Sequence, residues 1–232
     1  MMNHGHQINT FEKLGTKYKT DKTMHHGYHF FYPRFLEPLR NETFTMLEIG
    51  LGTFEDNTGT AGCVGNSPKL WKEYFSNAKV FVMDIDYEYM DEYGTVIKGD
   101  QSNIKDIIRV ANQVGPAKFI IDDGSHHAEH QLLTFNYLFQ NLLEPGGVYI
   151  IEDIECSYWK PDTDIYGYRI GYLNIIDYFT KYQHELNSEF NHGKNTLEIS
   201  SISYGQNCII ITKQTAEEKS FYNRQYRFGW KI

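Results

Sequence analysis

The sequence predicts an α/β protein: a mostly parallel sheet of seven strands, with a C-terminal antiparallel hairpin and an N-terminal helical preface. Three observations point there. Short apolar runs alternate with stretches of helical periodicity from about residue 44 to residue 152, the pattern of strands joined by crossover helices. Several of those runs end in acids. After residue 155 the alternation stops, and two β runs follow that are joined by a short turn.

Residues 10–40 read as the preface, with Thr10 as its candidate N-cap. Phe44 to Ile49 is the first strand and Pro68 to Phe75 a helix. Val80 to Asp84 and Thr95 to Lys98 are the next strands. Asn103 to Val114 is a helix opening after Ser102. Phe119 to Asp122 is a strand, and Ala128 to Leu142 is a helix with apolar residues at 132, 133, 135 and 138. The turn Glu144-Pro145-Gly146-Gly147 leads into the strand Val148 to Glu152. Leu173 to Phe190 resembles one helix. Thr196 to Ser203 and Asn207 to Thr212 form the hairpin around Tyr204-Gly205-Gln206, and the tail from Thr215 has no clear assignment.

Composition narrows the function. The chain has 232 residues, 16% of them aromatic, enough for one large core. A formal charge of −8 argues against a nucleic-acid surface, which needs clustered Lys and Arg. No apolar stretch approaches the roughly 20 residues that span a bilayer, and Met1 to His6 has no signal-peptide core. Cys63, Cys156 and Cys208 are odd in number and widely spaced, so free thiols in a reducing compartment are expected. A cytoplasmic enzyme is the expectation.

The chemistry concentrates at strand ends. Ile120-Ile121-Asp122-Asp123-Gly124-Ser125-His126-His127 and Ile150-Ile151-Glu152-Asp153 each run from an apolar strand into paired acids. Carboxylates and an imidazole converging on one mouth make a hard-metal site with a candidate general base. Upstream, Glu48-Ile49-Gly50-Leu51-Gly52 carries a strand into a Gly-x-Gly turn, where backbone can approach a ligand closely. A dinucleotide fingerprint would need a third glycine at position 55, which is Glu55. Glu48 would repel a pyrophosphate and suits a cofactor with a positive end; the alternative is a salt-bridged strand terminus. Asp84, ending the second strand, can accept ribose hydroxyls, with Asp86 the lesser candidate. Asp100 and Gln101 offer an acceptor and an amide to an adenine edge, or caps to the following helix.

Glu-x-Gly-x-Gly, an acid-ended second strand and Gly99-Asp100-Gln101 together resemble class I S-adenosylmethionine-dependent methyltransferases, a Rossmann-like fold. Adding Thr20-Asp21-Lys22, His25-His26-Gly27-Tyr28, Leu70-Trp71-Lys72, the Asp122 to His126 run and Glu152-Asp153 with Ser157-Tyr158-Trp159, the chain resembles their metal-dependent sugar O-methyltransferase subgroup over about residues 10 to 160. One departure is the loop Phe54 to Gly65, where the usual third glycine of the cofactor motif is absent. The resemblance implies Mg²⁺, or Mn²⁺, on Asp123, Glu152 and Asp153, with His126 as general base. It implies S-adenosyl-L-methionine on Glu48, Gly50, Gly52, Asp84, Asp100, Gln101 and Asp122, the last facing the methyl donor. A sugar or glycoside such as a rhamnoside is the expected acceptor, with Tyr28, His127, Tyr158 and Trp159 as candidate contacts. Residues 1–40 then cover the substrate side of a catalytic domain spanning 41–232.

Other readings stay open on the residues alone. Asp122 or Asp153 can cap helices, and His25, His26, Tyr28 and His29 can be an aromatic packing patch. His126 and His130 stand one helical turn apart, but the zinc pattern HExxH is absent. His127 and His130 suit a helix surface, and Tyr158 and Trp159 can be core anchors. A catechol or other small-molecule acceptor is the alternative substrate. A non-catalytic cofactor-binding module of a longer glycan-synthesis protein is the alternative class, although mere binding needs no base. No nucleic-acid partner and no membrane span are expected, and a homo-oligomer or a domain of a larger glycan-modifying protein is left open.

Overall fold

The structure is a computed structural model that describes residues 8–52, 64–158, 174–187 and 195–225. Its strands are β1 Thr45–Ile49, β2 Lys79–Asp84, β3 Tyr89–Met90, β4 Thr95–Lys98, β5 Ala117–Asp122, β6 Leu143–Glu152, β7 Ile199–Gly205 and β8 Cys208–Lys213. They form one 8-stranded sheet in the order β3-β4-β2-β1-β5-β6-β8-β7. The five strands from β4 to β6 are parallel. β8 and β7 close one edge as the expected antiparallel hairpin, and β3 pairs antiparallel at the other. The eighth strand is β3, whose two residues are too few to carry a periodic signal.

The helices are α1 Thr10–Tyr18, α2 Asp21–Met24, α3 Pro33–Leu36, α4 Asn66–Tyr74, α5 Ile104–Val114, α6 Ala128–Asn141, α7 Ile175–Thr180 and α8 Tyr182–Leu186, with a closing helix at Ala216–Gln225. Asn9, not Thr10, caps α1, accepting from Glu12 N at 2.8 Å. Asn103, not Ser102, caps α5, accepting from Lys105 N at 3.0 Å. In both cases the true cap stands one residue from the expected one, and its side chain reaches the second residue beyond α5's cap or the third beyond α1's. The expected single helix over 173–190 is two short ones, α7 and α8, within its described part. Among the described residues, no helix is long and apolar enough to cross a membrane. Cys156 and Cys208 are free and buried, and Cys63 lies outside the described residues.

Alternation along each strand divides the core between two faces. Leu47, Ile120, Tyr149, Ile151, Ile209 and Ile211 pack with α5 and α6 through residues such as Ile107, Val110, Leu132 and Phe135. Their neighbours Met46, Phe119, Ile121, Val148, Ile150 and Ile210 pack on the opposite side with α4 and the preface, through Trp71, Phe75, Phe11, Tyr28 and Tyr32. Both faces are covered, which is why the central strands read as continuous apolar runs. The preface is bound by an aromatic layer: Phe11 stands 5.8 Å from Tyr32, 5.6 Å from Trp71 and 5.4 Å from Tyr74 between ring centroids.

The topology also places the chemistry. From β1 the chain builds outward through β2 to β4, then crosses back to add β5 on β1's other side. A crevice therefore opens beyond the carboxyl ends of β1 and β5, where strand order reverses. The registers Ile49↔Met83, Ile49↔Asp122 and Asp122↔Ile151 bring all the acid-bearing strand ends level. Past β1 the backbone turns at Gly50, with φ of 93°. A Cβ on Gly50 would lie 2.1 Å from the Asp123 carbonyl oxygen, so the close approach of two strand ends requires glycine there.

Gly50→Ala combines that clash with left-handed backbone and should lower unfolding free energy by about 3 kcal/mol, read as a reduced urea midpoint. An unchanged midpoint would mean the two strand ends can part freely.

Candidate active site

Glu48, the first acid of the crevice, is fully buried near the end of β1. Its Oε2 accepts from Ser67 Oγ at 2.8 Å. Its Oε1 lies 3.6 Å from Lys22 Nζ, an ion pair without a hydrogen bond. The salt-bridged reading of Glu48 thus describes the structure, and its partner comes from the preface.

Lys22, on α2, has no solvent exposure. Its ammonium donates to Asp123 Oδ2 at 2.5 Å and to Glu152 Oε2 at 2.6 Å. Burial opposes that charge, but Asp123, Glu152 and Glu48 outweigh it and hold the ammonium's pKa well above its usual range. Glu152 is fixed on its other oxygen too, where Tyr32 OH donates at 2.6 Å, and its carbonyl accepts from Gln131 Nε2 at 2.9 Å.

Beyond Lys22 the carboxylates open onto a gap. Asp123, His126 and Asp153 each present a potential ligand atom, all within 4.8 Å of one another. His126 Nε2 is 3.6 Å from Asp123 Oδ1 and 3.4 Å from Asp153 Oδ2. His126 and Asp153 both have left-handed backbone, with φ of 58° and 51°, unusual for residues carrying a Cβ. Burial alone would lower the imidazole's pKa, but Asp123 and Asp153 outweigh it and push it up to about 9. Asp123 is held well below the usual carboxylate range, Lys22 and His126 overcoming its burial. Burial pushes the Glu152 and Asp153 carboxyls up, against Lys22 and the nearby histidines, and leaves Asp123 as the firmly ionised acid of the gap. The oxygens of Asp123 and Asp153 form a hard donor set that suits Mg²⁺ or Mn²⁺.

Several residues stand differently from the sequence reading. Glu152 turns to Lys22 and Tyr32, so the atoms around the gap belong to Asp123, His126 and Asp153 instead of Asp123, Glu152 and Asp153. Asp122 does not face the crevice: it is fully buried and accepts from Gln101 Nε2 at 2.7 and 2.8 Å and from Thr134 Oγ1 at 2.5 Å. Burial pushes its pKa up to about 6 against those donors. Gln101 is engaged in that brace on both ends of its amide, Nε2 donating to Asp122 and Oε1 accepting from Ser125 N at 2.9 Å. Asp84 accepts from Leu51 N at 2.9 Å and from Asp86 N at 2.9 Å, tying β2's end to the glycine loop, while Asp86 is exposed. Asp100 is half-buried and accepts from Ser102 N at 2.8 Å.

Of the substrate candidates, Tyr28 is fully buried, stacked against His26 and Tyr32, so it belongs to the core and not to an entrance. His127 is half-buried, its ring 4.5 Å from that of His130. His130 Nδ1 pairs with Ser125 Oγ at 2.9 Å and takes no part in the Asp123 gap. Tyr158 is 73% exposed at the end of the 3₁₀ turn Ile154–Tyr158. Trp159 lies outside the described residues. Gly52 is exposed with φ of 91°, at the last described position before residue 64. Sequence reasoning missed the placement of Lys22, Tyr32, Thr134 and Asn207. Of these, only Lys22 had a signal, as the last residue of Thr20-Asp21-Lys22.

Comparison with known proteins places the chain beside sugar O-methyltransferases. It is 33% identical over 157 residues to the 8-demethyl-8-alpha-L-rhamnosyl tetracenomycin-C 2'-O-methyltransferase of Streptomyces olivaceus, covering 67% of this chain and 40% of that protein. It is 34% identical over 150 residues to the mycinamicin VI 2''-O-methyltransferase of Micromonospora griseorubida, covering 63% of this chain and 36% of that protein. The matched segments thus span well under half the length of these relatives. The fold matches that of the MycE methyltransferase solved with Mg, SAH and mycinamycin VI, at a TM-score of 0.75 and 24% identity, covering 92% of this chain and 56% of that one. No protein-family model matches the chain.

Burial, opposed by Lys22, pushes the Glu48 pKa up to about 7. A raised carboxylate contributes stability that is full below the ordinary carboxylate range and lost as pH rises through that value. Glu48→Gln cannot titrate, so its Tm should gain on the parent's as pH rises, by roughly 5 °C between about pH 5 and pH 8.5. A gap constant across that range would show that Glu48 stays ionised throughout.

Proposed function

We propose that this chain carries a divalent-metal- and S-adenosylmethionine-dependent O-methyltransferase activity directed at a sugar hydroxyl. The carrying observation is the convergence of Asp123, His126 and Asp153 on one gap, beside a buried Glu48 and a Gly-x-Gly turn. The relatives' names support the acceptor class, a rhamnosyl tetracenomycin in one and an L-olivosyl-oleandolide in another. That points to a deoxyhexose on a glycoside.

Asp123 and Asp153 would hold Mg²⁺ directly, with Glu152 completing the acid set through the ammonium it shares with Asp123. Bound there, the ion supplies the Lewis acidity that lowers a hydroxyl's pKa. His126, its carboxylate-held proton passed to solvent when a cation takes over Asp123 and Asp153, would accept the acceptor hydroxyl's proton on Nε2. Glu48 Oε1, buried without a hydrogen bond, together with Gly50 and Gly52, fits the cationic methionine end of the cofactor. Asp84 and Asp100, at the ends of β2 and β4, remain the polar groups nearest the expected ribose and adenine. Gln101 acts behind them, fixing Asp122 and Ser125. The preface supplies Lys22 and Tyr32 from one side, consistent with residues 1–40 serving as a cover over the domain at 41–232.

The decisive experiment is transfer of labelled methyl to a panel of rhamnosides, other glycosides and catechols. Glycosides should be labelled, EDTA should abolish the transfer and Mg²⁺ restore it. Labelling of catechols alone would replace the substrate class, and EDTA-resistant transfer would remove the metal. His126→Ala should slow the chemical step by about 10²–10⁴-fold while S-adenosylhomocysteine binding, read by calorimetry, stays level. Equal loss of both would mean that His126 only maintains the fold.

A further inference from the structure

Both carboxylates facing the gap have one oxygen tied down and the other left open. For Asp123 the tie is Lys22, on Oδ2, which leaves Oδ1 toward His126. For Asp153 the ties fall on Oδ1, which accepts from Asn207 Nδ2 at 2.7 Å and from Tyr28 OH at 3.1 Å. Its Oδ2 is then the oxygen 3.4 Å from His126 Nε2. Asn207 sits 54 positions along the chain from Asp153, in the turn between β7 and β8.

The turn explains only part of Asn207. Its φ of 58° needs a residue at ease in the left-handed region, and glycine would serve that turn as well as asparagine. Its carbonyl accepts from Ile154 N at 3.4 Å and from Tyr28 OH at 3.3 Å, contacts that glycine would keep. Only the side-chain amide is surplus to the turn, and it is spent on Asp153. A carboxylate's terminal torsion is soft, so Asp153 without this donor would spread its oxygens over several orientations, and cation binding would bear the cost of ordering them.

We propose that Asn207 is a positioning residue of the metal gap, holding Asp153 Oδ1 so that Oδ2 stays aimed at the ion. The proposal rests on the reading of the gap as a divalent-cation site and adds the hairpin turn to its machinery. Hydrogen bonds to ligating carboxylates commonly alter metal affinity by about 10- to 100-fold. With Tyr28 still donating to the same oxygen, loss of Asn207 belongs at the lower end.

The test is Asn207→Gly, which keeps the left-handed turn and deletes the amide, with Gln206→Gly in the same turn as control. Mn²⁺ binding to the whole chain is followed by electron paramagnetic resonance, cofactor affinity by S-adenosylhomocysteine calorimetry, and folding by Tm. Asn207→Gly should bind Mn²⁺ about 10-fold more weakly, with cofactor affinity and metal-free Tm at parental values and the control unchanged. In turnover, the Mg²⁺ concentration for half-activation should rise by a similar factor while kcat at saturating Mg²⁺ recovers. Parental Mn²⁺ affinity in Asn207→Gly would overturn the proposal, and so would joint loss of metal affinity, cofactor affinity and Tm. A parent chain that binds no Mn²⁺ would instead sink the metal reading beneath it.

Discussion

Everything at the crevice is arranged around one buried ammonium. Lys22 reaches from the preface to the ends of three parallel strands and meets Glu48, Asp123 and Glu152. Without it, three carboxylates would be crowded together away from water, each costly to ionise. With it, Asp123 can remain charged and present an oxygen to the gap. Such an ion cluster adds little net stability, because desolvation offsets most of the Coulomb attraction. The energy that docks the preface comes from its aromatic layer on Trp71 and Tyr74. What Lys22 contributes is geometry, since its ammonium ties α2 to the ends of β1, β5 and β6 at once.

The same division between energy and geometry explains the backbone. His126, Asp153 and Asn207 all adopt left-handed φ, and all three meet at the gap. Each such residue costs of order 1 kcal/mol, so the surrounding structure must insist on it. The insistence comes from the sheet: Asp123 N still bonds Ile49 O at 2.9 Å as the strand ends, and Ile154 N is drawn to Asn207 O at 3.4 Å. Tight turns immediately after β5 and β6 then throw His126 and Asp153 toward each other. The strain sits where two strand ends must deliver side chains into the same small volume.

How legible this was follows from the range of each interaction. The strands were readable because burial on both faces makes apolar runs, and β1, β2, β4 and β5 were located to within two residues or less. β3 escaped because two residues have no period, and the closing helix Ala216–Gln225 because its polar, weakly amphipathic sequence has no apolar stripe. At the site, the paired acids announced a metal mouth because their chemistry is local in sequence. Their assignments were less secure for the same reason. Whether Asp122 or Asp123 enters the crevice depends on strand parity relative to Gln101 and Thr134, and Glu152's orientation depends on Lys22, 130 positions away. A sequence read locally sees four equivalent carboxylates, whereas the fold gives them four environments.

Those environments fix what the gap can accept. On the proposed reading, a second ion would compete with Lys22 for the oxygens of Asp123 and Glu152. Lys22 cannot be displaced cheaply, because its ammonium is fully buried and its withdrawal would leave Glu48, Asp123 and Glu152 crowded without a counter-charge. The tethered ammonium therefore favours one bound ion over two on the proposed reading. It also keeps Asp123 Oδ2 occupied, which leaves Oδ1 as the oxygen that Asp123 would offer to an ion. On the proposed reading the lysine and the ion would divide the acids between them, and that division would leave the ion open positions for an acceptor's hydroxyls.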